Sequence, residues 1–359
     1  VSRAYNFSSG PGAIPLPVLT QARDEMLDWS SARASVMEIS HRGKHFIALA
    51  EEAEADLRAL MAIPSSYKVL FLQGGATQHF AQIPMNFAAG ASADYIVTGQ
   101  WGQKAVKEAK PYTTVRIAAN SEADQFFKLP SRDTWSLDAK ASYVHYTPNE
   151  TIQGVEFHDI PEVGSVPLVA DMSSNILSRP VDVSKFGLIY AGAQKNIGAS
   201  GLVVLIVRED LLARCPATIA GIFNYAGHAK EGSMLNTPNT FGWYLAGLTF
   251  KWLAREGGLV EMERRNDAKA KKLYDYIDGS GFYDNPIDAT ARSRMNVPFR
   301  LADESLDDAF LKQSEAAGLL ALKGHRSVGG MRASLYNAMP MAGVDALIDF
   351  MRDFAQRNG

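Results

Sequence analysis

Leu188-Ile-Tyr-Ala-Gly-Ala-Gln-Lys195-Asn-Ile-Gly-Ala-Ser-Gly201 is the stretch on which the reading of this chain turns. One apolar run enters it, and a second, Leu202 to Val207, leaves it. Short apolar runs of this kind read as buried strands. The Gly/Ala-rich turn between them lets a flat ligand come close to the backbone. A lysine in such a turn is either a solvated loop residue or an amine whose burial lowers its pKa, so that the neutral form condenses with an aldehyde. The motif alone does not decide between the two.

Upstream, Val166-Pro-Leu-Val-Ala-Asp171 is a strand-like run that ends in a carboxylate and leads into Met172-Ser-Ser-Asn175. By itself Asp171 reads as the N-cap of the next segment. Beside Lys195 it reads differently, because both residues fall at the carboxyl ends of strands one crossover apart, where an α/β sheet gathers its ligands. An amine and an acid so placed suit pyridoxal 5′-phosphate (PLP), whose pyridine nitrogen is kept protonated by a carboxylate so that the ring accepts electrons.

Other segments fit around this pair. Val69 to Leu72 is an apolar strand, followed by Gln73-Gly-Gly-Ala76-Thr77 and a helical pattern from Gln78 toward Phe87, with Pro84 expected to kink it. Strand, glycine turn and helix together form a cradle for a single phosphate, although a lone Gly-Gly turn is also an ordinary tight corner. Neither a Walker loop nor a three-glycine dinucleotide fingerprint is present. Tyr95 to Thr98 leads to Trp101, an aromatic that stacks on a ring or fills the core. Ser142 to Thr147 runs into Pro148-Asn-Glu-Thr151, whose hydroxyl either reaches a ring substituent or caps a turn.

Basic residues gather in two places. Ser40-His41-Arg42-Gly43-Lys44-His45 has two histidines at a metal-binding spacing, but the cations between them disfavour a metal. An anion site at a helix start and a solvated basic turn both remain open. Lys323-Gly-His325-Arg326-Ser-Val-Gly-Gly-Met-Arg332 reads as an anion clamp or a solvated loop. Helices are expected over Pro17 to Trp29, Lys44 to Met61, Phe241 to Leu253, Met262 to Ile277 and Gly343 to Gln356, from apolar residues repeating at helical spacing. Arg294 to Leu301 and Gly330 to Tyr336 read as strands, and Glu256-Gly257-Gly258 marks a break before an α+β C-terminal part.

A chain of 359 residues can bury a large core and hold two domains. Its net charge of −3 gives no global reason to expect nucleic acid or a membrane surface as partner. Cys215 is the single cysteine, so no disulfide forms within the chain, which fits a reducing, cytoplasmic setting. No apolar run approaches membrane-spanning length, and no signal-peptide pattern stands at Val1.

Taken together, Asn6-Phe-Ser-Ser-Gly-Pro-Gly, Ser40-His-Arg-Gly-Lys, Pro148-Asn-Glu-Thr-Ile, Asp171-Met-Ser-Ser, Tyr190-Ala-Gly-Ala-Gln-Lys-Asn-Ile-Gly, Asn236-Thr-Pro and Gly324-His-Arg with Gly-Gly-Met-Arg332-Ala-Ser resemble the phosphoserine aminotransferase family. The resemblance runs the length of the chain. It implies a class V, fold-type I PLP-transferase, α/β in class. A large domain over residues 16–256, with a mostly parallel seven-stranded sheet flanked by helices, would join a smaller α+β domain over 257–359 through the segment 1–15. It also implies a homodimer with active sites at the subunit interface.

Residue by residue, the resemblance makes Lys195 the Schiff-base lysine and Asp171 the partner of the pyridinium nitrogen. Trp101 stacks on the ring and Thr151 bonds its phenolic oxygen. Ala76, Thr77 and Gln194 hold the cofactor phosphate, with Asn236 and Thr237 coming from the other subunit. Some relatives carry a basic residue where this chain has Thr77, which leaves a backbone N–H contact there and the side-chain role open. Arg332 grips the substrate α-carboxylate. His41 and Arg42 of one subunit, with His325 and Arg326 of the other, face the distal phosphate.

The implied reaction is amino transfer between phosphoserine/3-phosphohydroxypyruvate and glutamate/2-oxoglutarate in serine biosynthesis. Bacterial relatives also serve pyridoxine synthesis through a phosphorylated threonine derivative. A cysteine desulfurase or other carbon–sulfur lyase of the same scaffold would need a mobile reactive thiol, for which Cys215 before Pro216 is ill placed. A PLP-binding regulator would need a basic DNA-reading module, which no segment before the core resembles.

Overall fold

The computed structural model of the chain describes residues 3–359. Val1 and Ser2, where the expected joining segment begins, lie outside the described residues. In chain order the elements open with β1 (Tyr5–Asn6), α1 (Leu16–Asp24), α2 (Lys44–Met61), β2 (Tyr67–Gln73), α3 (Ala76–Phe87), β3 (Ser92–Val97), α4 (Gln100–Ala109) and β4 (Thr114–Asn120). Next come β5 (Val144–Tyr146), β6 (Asn149–Glu150), β7 (Val155–Glu156), β8 (Leu168–Asp171), β9 (Leu188–Gly192), β10 (Leu202–Arg208), α5 (Glu209–Leu212), α6 (Tyr225–Lys230) and α7 (Thr240–Arg255). The remainder holds α8 (Gly258–Ser280), β11 (Tyr283–Asp284), β12 (Asn296–Leu301), α9 (Asp307–Ala316), β13 (Leu319–Leu320), β14 (Met331–Ser334) and α10 (Met341–Asn358).

The central sheet has seven strands in the order β2-β10-β9-β8-β5-β3-β4. Only β10 runs against its neighbours; the other pairings are parallel. Parallel strands need crossovers, which place helices on both faces and bury both sides of each strand. The unbroken apolar run of β10 shows the consequence. Leu202, Val204 and Ile206 pack with Phe46 and Ala50 of α2 and Trp243 and Ala246 of α7. Val203, Leu205 and Val207 pack on the other face with Phe80 and Ile83 of α3 and Val106 of α4. Each such large side chain contributes roughly 1.5–3 kcal/mol by leaving water.

The C-terminal part packs α8, α9 and α10 around the antiparallel sheet β11-β12-β14, with Phe310, Leu347 and Phe354 in its core. β1 pairs in parallel with β13, so the N-terminal segment is fastened to this part. α8 links the two cores: Leu259 and Met262 belong to the large one, and Ala270, Leu273 and Ile277 to the small one. No helix among the described residues is long and apolar enough to cross a membrane.

One expectation needs adjusting. The first helix ends at Asp24 rather than reaching Trp29. Asp28 accepts the Arg33 N–H at 2.7 Å, and Ser30, Ser31 and Arg33 all take positive φ, so local turn bonding replaces helix there. Trp29 still reaches the core side, meeting Tyr244 edge to face at 6.2 Å. In α3 the helix runs on through Pro84.

The short hairpin of β6 and β7 is seated against β12 through Gly154, whose φ is +76°. A Cβ there would lie 2.4 Å from Pro298 Cδ and 2.8 Å from the Asn296 carbonyl oxygen. Gly154→Ala is expected to cost about 1–3 kcal/mol, read as a lower urea midpoint. An unchanged midpoint would show that the hairpin has room to shift.

Candidate active site

Asp171 ends β8, and the turn bearing Lys195 follows β9, its parallel neighbour, with Asp171 in register with Tyr190. Both residues line one cavity at the carboxyl edge of the sheet, together with Gly75, Ala76 and Thr77 at the start of α3, Trp101 of α4, and Thr151. The same cavity is lined by Gln194, His325 and Arg332. Elements from both parts of the chain therefore meet around one amine.

Lys195 Nζ donates to Thr151 Oγ1 at 2.8 Å and sits 5.7 Å from the centre of the Trp101 ring. Burial is the main influence on its pKa, which falls to about 8; Asp171 and Glu150 pull it up and Arg332 pushes it down. Asp171 is buried, and burial raises its carboxyl pKa against the lowering effect of Ser173 and Lys195. Its Oδ1 accepts both the Ser173 N–H at 3.0 Å and the Ser173 hydroxyl at 2.5 Å. Ser173 Oγ in turn accepts the Gly192 N–H at 3.0 Å, locking the carboxylate to β9. Among the described residues no donor takes up Asp171 Oδ2.

Arg332, on β14, is 9% exposed. It donates to the Thr151 carbonyl at 3.2 Å and to Ser9 Oγ at 2.6 Å. Ser9 is held in place because Tyr336 donates to its carbonyl at 2.6 Å. Nearby, Gly12 N–H donates to the Gln194 carbonyl at 2.7 Å, so the N-terminal segment closes over the lysine turn. His325 is oriented by Ser327, whose Oγ lies 2.7 Å from its Nδ1.

Not every residue singled out in the sequence reaches this cavity. His41 and Arg42 occupy the turn before α2, Arg326 is exposed, and none of the three lines the cavity. Asn236 borders a separate hollow with Gln73, Gln78 and Phe223, and the Thr237 carbonyl accepts from Gln73 Nε2 at 2.6 Å. Conversely, Ser9, Lys104, Glu150 and Ser173 help build the site and were not singled out individually. Ser9, Glu150 and Ser173 lie inside quoted motifs. Nothing in the sequence tells which side chain Glu150 or Lys104 would meet.

The residues present fit PLP. An amine of lowered pKa faces a carboxylate with an oxygen to spare. The first turn of α3 begins at Gly75 without a side-chain cap, leaving N–H groups free to meet a phosphate. The buried hydroxyl of Thr147, at the cavity wall, has no hydrogen-bond partner among the described residues. Among those residues, no cluster of His, Cys, Asp and Glu could hold a metal ion.

A family model described as Aminotransferase class-V matches residues 4–347. The chain is 58% identical to a phosphoserine aminotransferase of Stenotrophomonas maltophilia over 361 residues, covering 100% of both chains. A solved phosphoserine aminotransferase from Bacillus circulans subsp. alkalophilus superposes with a TM-score of 0.97 at 49% identity, with 99% of each chain covered. The PLP-bound phosphoserine aminotransferase of Trichomonas vaginalis gives a TM-score of 0.93 at 44% identity, over 98% of this chain and 100% of that one.

Lowering the lysine pKa makes the free amine available near neutrality. In the cofactor-free protein, labelling of Lys195 by an amine-reactive reagent is expected to rise with pH around a midpoint of about 8. Asp171→Asn removes a charge that favours the ammonium and is expected to move that midpoint lower. A midpoint near that of an ordinary surface lysine would contradict the burial described.

Proposed function

The chain belongs to the class-V aminotransferases and, among them, to the phosphoserine aminotransferases, and from that membership we propose that the Lys195 cavity is where phosphoserine and glutamate exchange amino groups with their keto acids. The observation that carries this reading is the convergence of Lys195, Asp171 and Arg332 on one cavity. PLP, when bound, supplies the aldehyde that takes up the amino group and the ring that accepts electrons from the substrate Cα.

The residues divide the work. Lys195 Nζ, its pKa lowered to about 8, would hold the group through its amine and would be the base placed to take the proton from the substrate Cα. Asp171 Oδ2 holds a proton at the ring nitrogen, while Ser173 fixes Oδ1. Trp101 would cover the ring, and Thr151 Oγ1, which accepts from Lys195 here, would bond the ring's phenolic oxygen. Ala76 and Thr77 offer N–H groups to the phosphate beside Gln194. Arg332 takes the substrate α-carboxylate in the forked geometry that a guanidinium favours.

The distal clamp and part of the phosphate site call for a second subunit. His41, Arg42, Asn236 and Thr237 lie outside the cavity of their own chain. In the stretch of chain from Leu27 to Ile47, which contains His41 and Arg42, Leu27 is 85% exposed, Met37 53% and Ile47 38%, apolar side chains that a partner copy would cover. In a homodimer His41 and Arg42 would meet His325 and Arg326 of the other subunit, and Asn236 and Thr237 would complete the neighbouring phosphate site. Cationic forks accept either a phosphate or a carboxylate, which suits a site that must take phosphoserine and glutamate in turn. We place the boundary between the two domains near residue 256 and read the enzyme as cytoplasmic.

Mixing the protein with PLP, phosphoserine and 2-oxoglutarate should yield glutamate, and Lys195→Ala should abolish both turnover and the visible absorbance of the bound cofactor. Arg332→Ala is expected to lower kcat/KM for every amino acid by about 10²-fold or more. Arg326→Ala should harm phosphoserine more than alanine; equal losses would remove it from the distal clamp. Sedimentation should give a dimer, and a monomer that turns over normally would refute the shared site.

A further inference from the structure

Glu150 is fully buried, a charged residue type that proteins rarely bury without a cationic partner. Among the described residues no lysine or arginine forms an ion pair with it. Its bonds go instead to the start of α4, where Oε2 accepts the Trp101 N–H at 3.0 Å and Oε1 accepts the Gly102 N–H at 2.8 Å. Burial raises its carboxyl pKa to about 7, with these two N–H groups acting in the opposite direction. The charged groups that face it are Asp171 of β8 and Lys195 of the turn after β9.

A helix start is ordinarily capped by a Ser, Thr, Asp or Asn at its own N-cap, at little cost in desolvation. α4 has Gly99 there and no local side-chain cap. The glycine is required by the distant carboxylate, because a Cβ at position 99 would lie 2.4 Å from Glu150 Cδ. Its φ of 175° is extended backbone open to any residue, so only the clash forbids a side chain. The chain thus uses a buried carboxylate from another element to fix the turn that carries the ring-covering tryptophan. The next residue along the hairpin, Thr151, contacts both Lys195 and Arg332.

We propose that Glu150 is a positioning residue that sets Trp101 over the cofactor ring and, in its ionised form, favours the charged state at Lys195. The proposal rests on the PLP reading above and assigns a role to a residue that does not itself touch the substrate. Two substitutions separate its parts. Glu150→Gln keeps the volume but turns one acceptor into a donor facing an N–H and removes the charge. Gly99→Ala keeps the charge but pushes the carboxylate off its seat.

Both variants should fold and dimerise, and both should raise the dissociation constant for PLP about tenfold or more, as expected for losing a hydrogen bond to a charged group. Glu150→Gln should also lower the pH midpoint at which the visible absorbance of the lysine-bound cofactor changes, because a negative charge nearby favours the protonated nitrogen. Gly99→Ala should move that midpoint less. A helix cap with no further role would leave the midpoint unmoved in both. The proposal is overturned if both variants bind PLP as tightly as the unaltered protein, or if the midpoint of Glu150→Gln is unchanged. Failure of the unaltered protein to bind PLP would refute the PLP reading itself, and the proposal with it.

Discussion

The site depends on a single constraint: an amine must sit among buried groups without being either fully charged or fully neutral at working pH. Desolvation alone drives a buried lysine toward the neutral form. Here Asp171 and Glu150 oppose that drift and Arg332 reinforces it, and the balance falls at about 8. Lys195 thereby keeps a share of free amine near neutrality, the form that nucleophilic attack and proton abstraction both need. The raised pKa of Glu150 and of Asp171 has the same origin, since both carboxyls have been withdrawn from water.

Holding those groups together falls to the junction between the two parts of the chain. The β6–β7 hairpin supplies Glu150 to α4 and Thr151 to both Lys195 and Arg332, while Asn149 is tied to Ser174 and Asn296. The N-terminal segment adds Ser9 beneath Arg332 and is itself fixed through β1 to β13. A movement of the C-terminal part would carry β14 and Arg332 with it and disturb Thr151 at once. The Arg332 guanidinium and the lysine environment are mechanically coupled through that one threonine, by its carbonyl on one side and its hydroxyl on the other.

Much of this was legible in the sequence because it is local. Lys195 and Asp171 end apolar runs, and the carboxyl ends of parallel strands are where ligands collect. α2 shows its buried face as Phe46, Ala50, Ala53 and Leu57, a spacing visible without coordinates. α4 was missed for an instructive reason. Its cap is supplied by Glu150 from a hairpin far along the chain, so its own start, Gly99-Gln-Trp, lacks the usual capping signal. Ser9 was likewise present in a quoted motif, but its bond to Arg332 exists only because the two ends of the chain pair. The overlong first helix came from counting Trp29 on the helical face, whereas that ring reaches Tyr244 from a turn bonded through Asp28. What the sequence withheld were contacts whose partners are backbone groups or lie at the opposite end of the chain.

Arg332 shows how the fold prepares for an anion. Its guanidinium is mostly buried, and burial lowers its pKa, yet among the described residues it pairs with no carboxylate. Its partners are neutral: a serine hydroxyl and a threonine carbonyl. Neutral acceptors hold the fork in place without neutralising it, so the desolvation penalty is already met in the folded protein. An arriving carboxylate then gains charge-assisted bonds at a pre-oriented donor and loses little by displacing a hydroxyl. Had an acidic side chain of the protein paired with Arg332, the cavity would be more comfortable empty, and any incoming anion would have to compete with it.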